Sequence, residues 1–72
     1  MKFKDKLHMY RMQRGLTMEE LAALTGLSQQ AISMYETGKR KSPLPVAKNS
    51  LARALKINPK LLEDDKEETS NE

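Results

Sequence analysis

Two adjacent glutamines, Gln29 and Gln30, followed at helical spacing by Ser33, Met34 and Thr37, carry the most specific chemistry in this sequence. A primary amide holds both a donor and an acceptor, so a glutamine can pair with an adenine edge through two hydrogen bonds at once. A methionine beside them offers an apolar contact to a thymine methyl. Ser and Gln are also common on ordinary solvated helix faces, so the surrounding punctuation has to separate the two readings. Directly after Gly38 come Lys39, Arg40 and Lys41. Such cations can meet phosphates or sense the negative potential of a narrow minor groove. Each of the three taken singly could equally be a solvated surface charge.

Other chemistries lack residues to run on. The sequence contains no cysteine and a single histidine, which excludes a disulfide framework, a thiolate zinc site and an unaided metal cluster. No phosphate-cradling glycine loop occurs, and catalysis requires positioned groups that this composition does not supply. No enzyme activity, metal, cofactor or small-molecule ligand is expected. No apolar run approaches the roughly 20 residues that span a bilayer, and the N-terminal MKFKDKLHMY has no apolar h-region of a signal peptide. A cytoplasmic location is the expectation, and no membrane partner.

The net charge of +3 conceals an asymmetry. Residues 63–72, EDDKEETSNE, hold six acids and one lysine, a net of −5; residues 1–62 hold the remaining twelve bases and four acids, a net of +8. A strongly basic small domain points to a polyanionic partner. The last ten residues lack an apolar face and are expected to be a disordered acidic tail. Residues 1–62 form one domain, whose core contributes on the order of a few kcal/mol in a chain this short.

The elements that must position the glutamines follow from local signals. Thr17 can cap a helix over residues 17–25, with Glu20 at the capping-box spacing. Leu21 and Ala22 supply its apolar face. Gly26 breaks that helix, and Ser28 can cap the next, over about residues 28–37. On this third helix Ile32 and Tyr35 face one way and the polar arc faces the other. A first helix over residues 3–13 carries Phe3, Leu7, Tyr10 and Met12 and ends at Gly15, followed by Leu16. Met9 and Met12 are expected to fill core gaps, and His8 to lie at the surface. A fourth helix starts at Leu44 or Pro45, where proline suits a first turn, with Ala47, Leu51, Ala54 and Leu55 on one face out to Lys56. Asn58 and Pro59 open a short fifth helix bearing Leu61 and Leu62. All glycines fall at helix ends and all prolines at or near helix starts, so the local signals agree on one plan. The fold class is all-α, a compact bundle of five short helices.

The block GLTMEELA…TGLSQQAISMYETGKRK resembles the helix-turn-helix of the lambdoid phage repressor and Cro family, and the likeness extends over most of residues 3–62. The resemblance implies a lambda-repressor-like fold in which helix 3 enters the DNA major groove. Gln29, Gln30, Ser33 and Met34 would then read bases. Thr17, Met18, Ser28, Thr37, Lys39, Arg40 and Lys41 would contact the DNA backbone. The family pattern also pairs an arginine in the first helix with an acid near the end of the third, here Arg11 and Glu36. A planar guanidinium suits that tie.

Two departures stand out. Met18 replaces the glutamine usual after the cap, which leaves the backbone N–H groups of Thr17 and Met18 for phosphate. Lys48 and Asn49 fall where apolar residues are common, after a loop one residue longer than usual, which leaves the rotation of the fourth helix open. The implied function is a double-stranded DNA-binding transcriptional regulator, a repressor, acting as a homodimer on a pseudo-palindromic operator. Leu24, Leu44, Ile57, Leu61 and Leu62 are the candidates for self-contact. A single head of this kind suggests a phage, mobile-element or restriction-control regulator. The competing reading is a protein-interaction or antitoxin-like module on the same helical scaffold, since fold does not fix function.

Overall fold

A computed structural model describes residues 1–41 and 43–63 of the chain. Four α-helices follow one another: α1 (Phe3–Gln13), α2 (Met18–Thr25), α3 (Gln29–Thr37) and α4 (Pro45–Leu55). A single 3-10 turn, Pro59–Leu62, ends the described part. The expected fifth helix is thus one tight turn. Pro59 has no amide hydrogen to donate, and Asn58 caps the turn by accepting from the Lys60 amide at 2.9 Å.

The start of α2 is closed from both sides. Thr17 Oγ1 accepts from the Glu20 amide at 3.0 Å, and Glu20 Oε1 accepts from the Thr17 amide at 2.9 Å. Gly26 ends α2 in the left-handed region at φ 80°, with its amide bonded to the Ala22 carbonyl. Ser28 Oγ then accepts from the Ala31 amide at 3.0 Å and starts α3. Between them Thr25 Oγ1 donates to the Leu21 carbonyl and accepts from the Leu27 amide, which fixes the short connection. The angle between α2 and α3 is therefore set by local hydrogen bonds as well as by packing.

The core is one cluster of Phe3, Leu7, Leu21, Ala22, Ala31, Ile32, Tyr35, Leu51, Ala52, Leu55 and Leu62. Helix α3 lies against both α1 and α2; α4 covers α2; the 3-10 turn closes over α1 and α4. The Phe3 and Tyr35 rings meet edge to face, centroids 5.7 Å apart and planes at 87°, an arrangement aromatic pairs favour.

Several expectations change. Met12 is 58% exposed rather than a core filler. The buried face of α1 is Phe3, Leu7 and Arg11, spaced by four, and Met12 stands one residue off that stripe, about 100° around the helix. Met9 is half-buried. Helix α4 buries Leu51, Ala52 and Leu55, while Ala47 and Ala54 are half-buried; its core face is rotated toward Ala52. Lys48 is accommodated because its Nζ reaches the Glu63 carboxylate at 3.3 Å while its stem lies along the fold. Leu62 is fully buried, which removes it from the candidates for self-contact. Leu24 is 61% exposed. Of the expected acidic tail, Glu63 is described and residues 64–72 lie outside the described residues.

Candidate nucleic-acid interface

Gln29 and Gln30 are the first two residues of α3, and both are exposed. Ala31, Ile32 and Tyr35 are buried on the opposite side, so burial alone dictates which arc of this helix faces out. Ser33 and Met34 are half-buried at the shoulder of that arc. Thr37 is exposed, with Oγ1 donating to the Met34 carbonyl at 3.3 Å. The first turn of α3 holds no acid. Its amide groups thus present the positive end of the helix dipole uncompensated.

The start of α2 is different. Glu19 and Glu20 both fall in its first turn, and the Thr17 amide expected to face phosphate is already bonded to Glu20 Oε1. The capping box that builds α2 consumes that donor, which corrects the expectation for Thr17. The Met18 side chain packs partly buried against the core.

Lys39, Arg40 and Lys41 are exposed beyond Gly38. The Arg40 amide bonds to the Met34 carbonyl at 3.2 Å, and its guanidinium lies 5.6 Å from the centroid of the Tyr35 ring. That cation–π contact anchors Arg40 to the fold, while Lys39 and Lys41 have no such hold among the described residues. Lys4 joins this region unforeseen. Its aliphatic stem runs past Gly38, where a Cβ would meet Lys4 Cδ at 3.0 Å. The basic N-terminal stretch gave a signal for charge there, but only the packing of α1 on α3 brings Lys4 to the end of α3.

Arg11 and Glu36 meet across the α1–α3 contact. Arg11 Nε donates to Glu36 Oε2 at 2.6 Å and Nη2 to Oε1 at 3.0 Å, a bidentate grip. Arg11 Nη1 also donates to the Leu16 carbonyl at 2.7 Å, so one guanidinium ties α1, the α1–α2 loop and the last turn of α3. The Glu36 side chain is only 3% exposed. Burial pushes its carboxyl up, but hydrogen bonds from Arg11 and His8, helped by the Arg11 charge, hold it below the usual carboxylate range. The hydrogen bond to Glu36, opposed by burial, holds the Arg11 guanidinium above its ordinary value. His8 Nδ1 lies 2.9 Å from Glu36 Oε1 with its ring largely in solvent, a third partner that sequence reasoning missed. His8 sits three residues before Arg11 on the same helix face, and that spacing was the available signal.

The acid nearest this surface in sequence is thereby turned inward, and the outer arc of α3 stays open beside its cations. Among the described residues no group of three His, Cys, Asp or Glu side chains could hold a metal ion. None of the described helices is long and apolar enough to cross a membrane.

Residues 7–62 match the helix-turn-helix family. The chain is 44% identical over 55 residues to the HTH-type transcriptional repressor RghR of Bacillus subtilis, a match covering 76% of this chain and 41% of that protein. It is 40% identical to the uncharacterized HTH-type transcriptional regulator RghRB of the same organism, over 76% of this chain and 40% of that one. The chain thus spans well under half the length of these relatives. The crystal structure of the restriction-modification controller protein C.AhdI from Aeromonas hydrophila superposes with a TM-score of 0.78 at 38% identity, covering 83% of this chain and 89% of that one.

Proposed function

The chain belongs to the helix-turn-helix family of DNA-binding transcriptional regulators, and on that premise we propose that it represses transcription by reading duplex DNA through the outer arc of α3. Gln29 and Gln30 contact base edges in the major groove, with Ser33 and Met34 beside them. Ser28, Thr37, Lys39 and Lys41 position the phosphate backbone, joined by the Met18 amide, the Thr17 hydroxyl and the Arg40 guanidinium. Arg11 and Glu36 do not touch DNA in this reading; they hold α3 at its angle to α1.

The observation that supports it best is the exposed glutamine pair at an acid-free helix N-terminus. Among the described residues no hydrogen bond engages these side-chain amides, and the fold spends a serine cap, a left-handed glycine and a buried ion pair on holding their helix in place. The names of the relatives, a transcriptional repressor and a restriction-modification controller, fit a regulator of this kind. We further propose a homodimer in the cytoplasm, each α3 on a half-site about 34 Å from the other. Leu24, Leu44, Val46 and Leu61 are exposed apolar side chains available for self-association, with half-buried Ile57 beside them.

Selection from random duplexes at near-physiological salt tests the reading. The protein should enrich a pseudo-palindromic consensus, and Gln30→Ala should flatten that consensus at one position per half-site, with a loss of about 1–3 kcal/mol on the selected site. An unchanged consensus with Gln30→Ala would remove α3 from the groove. No enrichment at all would favour the protein-interaction reading.

A further inference from the structure

The face made by the C-terminal ends of α1, α2 and α4 has no role in reading DNA. A groove of about 640 Å³ runs along it, bordered by Arg14 and Leu16 after α1, Leu24 at the end of α2, and Arg53, Ala54 and Lys56 at the end of α4. That size falls in the range of ligand sites, about 300–1,000 Å³. Leu16 and Ala54 are half-buried, whereas Arg14, Leu24, Arg53 and Lys56 are exposed. The groove thus pairs an apolar floor with a cationic rim. No residue of α3 and none of the cations that follow it border the groove.

Part of this charge answers the helix dipoles. Each helix C-terminus is equivalent to about −0.5 charge, and three of them converge here: Arg14 caps α1, Thr25 is the last residue of α2 and Lys56 caps α4. The three cations carry +3 against about −1.5 from the dipoles, so about half of the positive charge is surplus. No hydrogen bond or ion pair to a described residue engages the side chains of Arg14, Arg53 or Lys56, and no described acid borders the groove. Glu20, one turn before Leu24, is the acid that helical spacing would bring closest, but its carboxylate accepts from the Thr17 amide. Neither the backbone nor the core selects these side chains. Lys56 takes the left-handed region at φ 60°, alone among the described non-glycine residues, where glycine would fit at less steric cost. Leu24 lies off the buried face of α2, which is Leu21 and Ala22.

We propose that this groove binds an acidic segment of a partner protein, which seats apolar side chains against Leu16, Leu24 and Ala54 and sets carboxylates beside Arg14, Arg53 and Lys56. Charge complementarity selects that occupant. A second copy docked symmetrically would bring the same patch against itself and set both groups of cations together, a like-charge contact that association disfavours. Leu24 is for that reason the poorest of the exposed leucines for self-association. Duplex DNA matches the charge, but its phosphates make polar contacts and leave the apolar floor unused. Arg53 also borders a second hollow of about 390 Å³ that includes Ile57 and Pro59. The trough therefore extends past Arg53 and suits an extended segment better than a compact ligand. Because α3 contributes nothing to the groove, this contact stands or falls apart from the DNA reading.

Backbone amide resonances of the full chain read the contact. The probe is a blocked peptide, Glu-Glu-Leu-Leu-Glu-Glu, compared with one carrying Gln for Glu, one carrying Ser for Leu, and a duplex of unrelated sequence. The first peptide should shift the amides of Arg14, Leu16, Leu24, Arg53 and Lys56 in a saturable way and leave those of Gln29 and Gln30 in place. Each comparator peptide should bind about tenfold more weakly or worse. Arg14→Gln with Arg53→Gln should weaken the first peptide about tenfold, the product of two surface ion pairs. Leu24→Ser should weaken it about fivefold. These substitutions change exposed side chains, and unmoved resonances elsewhere show that the fold is intact. Lys39→Gln with Lys41→Gln removes the same charge elsewhere and should leave the peptide's affinity as it was. Absence of a saturable shift at the groove overturns the proposal, and so do shifts centred on residues 39–41. Equal binding of the serine peptide overturns it by removing the apolar anchor. Groove shifts as strong with the duplex make this a phosphate surface, and groove shifts on raising protein concentration alone make it a contact between copies; either result overturns the proposal. If no duplex binds while the peptide still saturates the groove, the DNA reading has failed and the groove assignment stands.

Discussion

Removing the Glu36 carboxylate should unfold most of this domain's stability margin. Arg11 is 7% exposed, and Glu36 supplies both oxygens that its Nε and Nη2 grip. With Glu36→Ala the guanidinium keeps the Leu16 carbonyl and a long, 3.4 Å contact to His8 Nδ1, and stays buried with no carboxylate to balance its charge. Breaking a buried pair from one side costs about 3–5 kcal/mol. The lower end applies here, about 3 kcal/mol, because the Leu16 bond survives and the His8 flank opens to water. A single core in a chain this short supplies about 3–5 kcal/mol in all, so the variant should be marginal at room temperature. Glu36→Gln keeps the shape and one acceptor and should lose less, about 1–2 kcal/mol. The double change Arg11→Met, Glu36→Leu should be more stable than either single truncation, since it leaves no orphaned charge.

Urea unfolding followed by circular dichroism reads all of these. Titration supplies a second reading with a defined sign. The Glu36 carboxyl is held below its ordinary value of 4.5, so its contribution is full above that pH and is lost as pH falls through the lower folded-state value. The stability gap between the native chain and Glu36→Gln should therefore be level from neutral pH down to about 5 and shrink below 4.5. A loss under about 1 kcal/mol for Glu36→Ala would mean that the pair behaves as a solvated surface bridge, and a gap that closes already above pH 5 would mean that burial outweighs the hydrogen bonds on Glu36.

Lys41→Ala should weaken binding to every duplex alike and lower the salt slope by about one unit, read by fluorescence anisotropy across a salt series; a change in consensus instead would make it a base reader. Gly38→Ala places a side chain at φ 84°, which should lower stability by about 1–2 kcal/mol in urea unfolding. Adding Lys4→Ala clears the 3.0 Å approach but should recover little of that loss, because the backbone conformation is the larger problem. Ser28→Ala removes the oxygen that accepts from the Ala31 amide and should lower stability by about 1 kcal/mol, while amide hydrogen exchange rises first at residues 30 and 31.

The positions of the four α-helices and the turn between α2 and α3 are written into the sequence because their causes are local. A cap oxygen, a glycine able to turn left-handed and a proline in a first turn act within four residues of where they stand. Thr17 with Glu20, Gly26, Ser28, Gly38 and Pro45 therefore announce their elements before any packing is known. The outward arc bearing Gln29 and Gln30 is legible for the same reason, since Ile32 and Tyr35 claim the other side. What depends on how one helix lies on another is not legible. The stripe that buries Arg11 and expels Met12, the rotation of α4 toward Ala52, the third bond from His8 to Glu36, the seat of Arg40 on Tyr35 and the approach of Lys4 to Gly38 are decided only when the helices dock. Composition also hid that the capping box uses the Thr17 amide, because the same donor serves helix or phosphate and only the folded geometry chooses. Helix periodicity says which residues share a face; the shape of the neighbouring helix says which face, and which charge, goes inside.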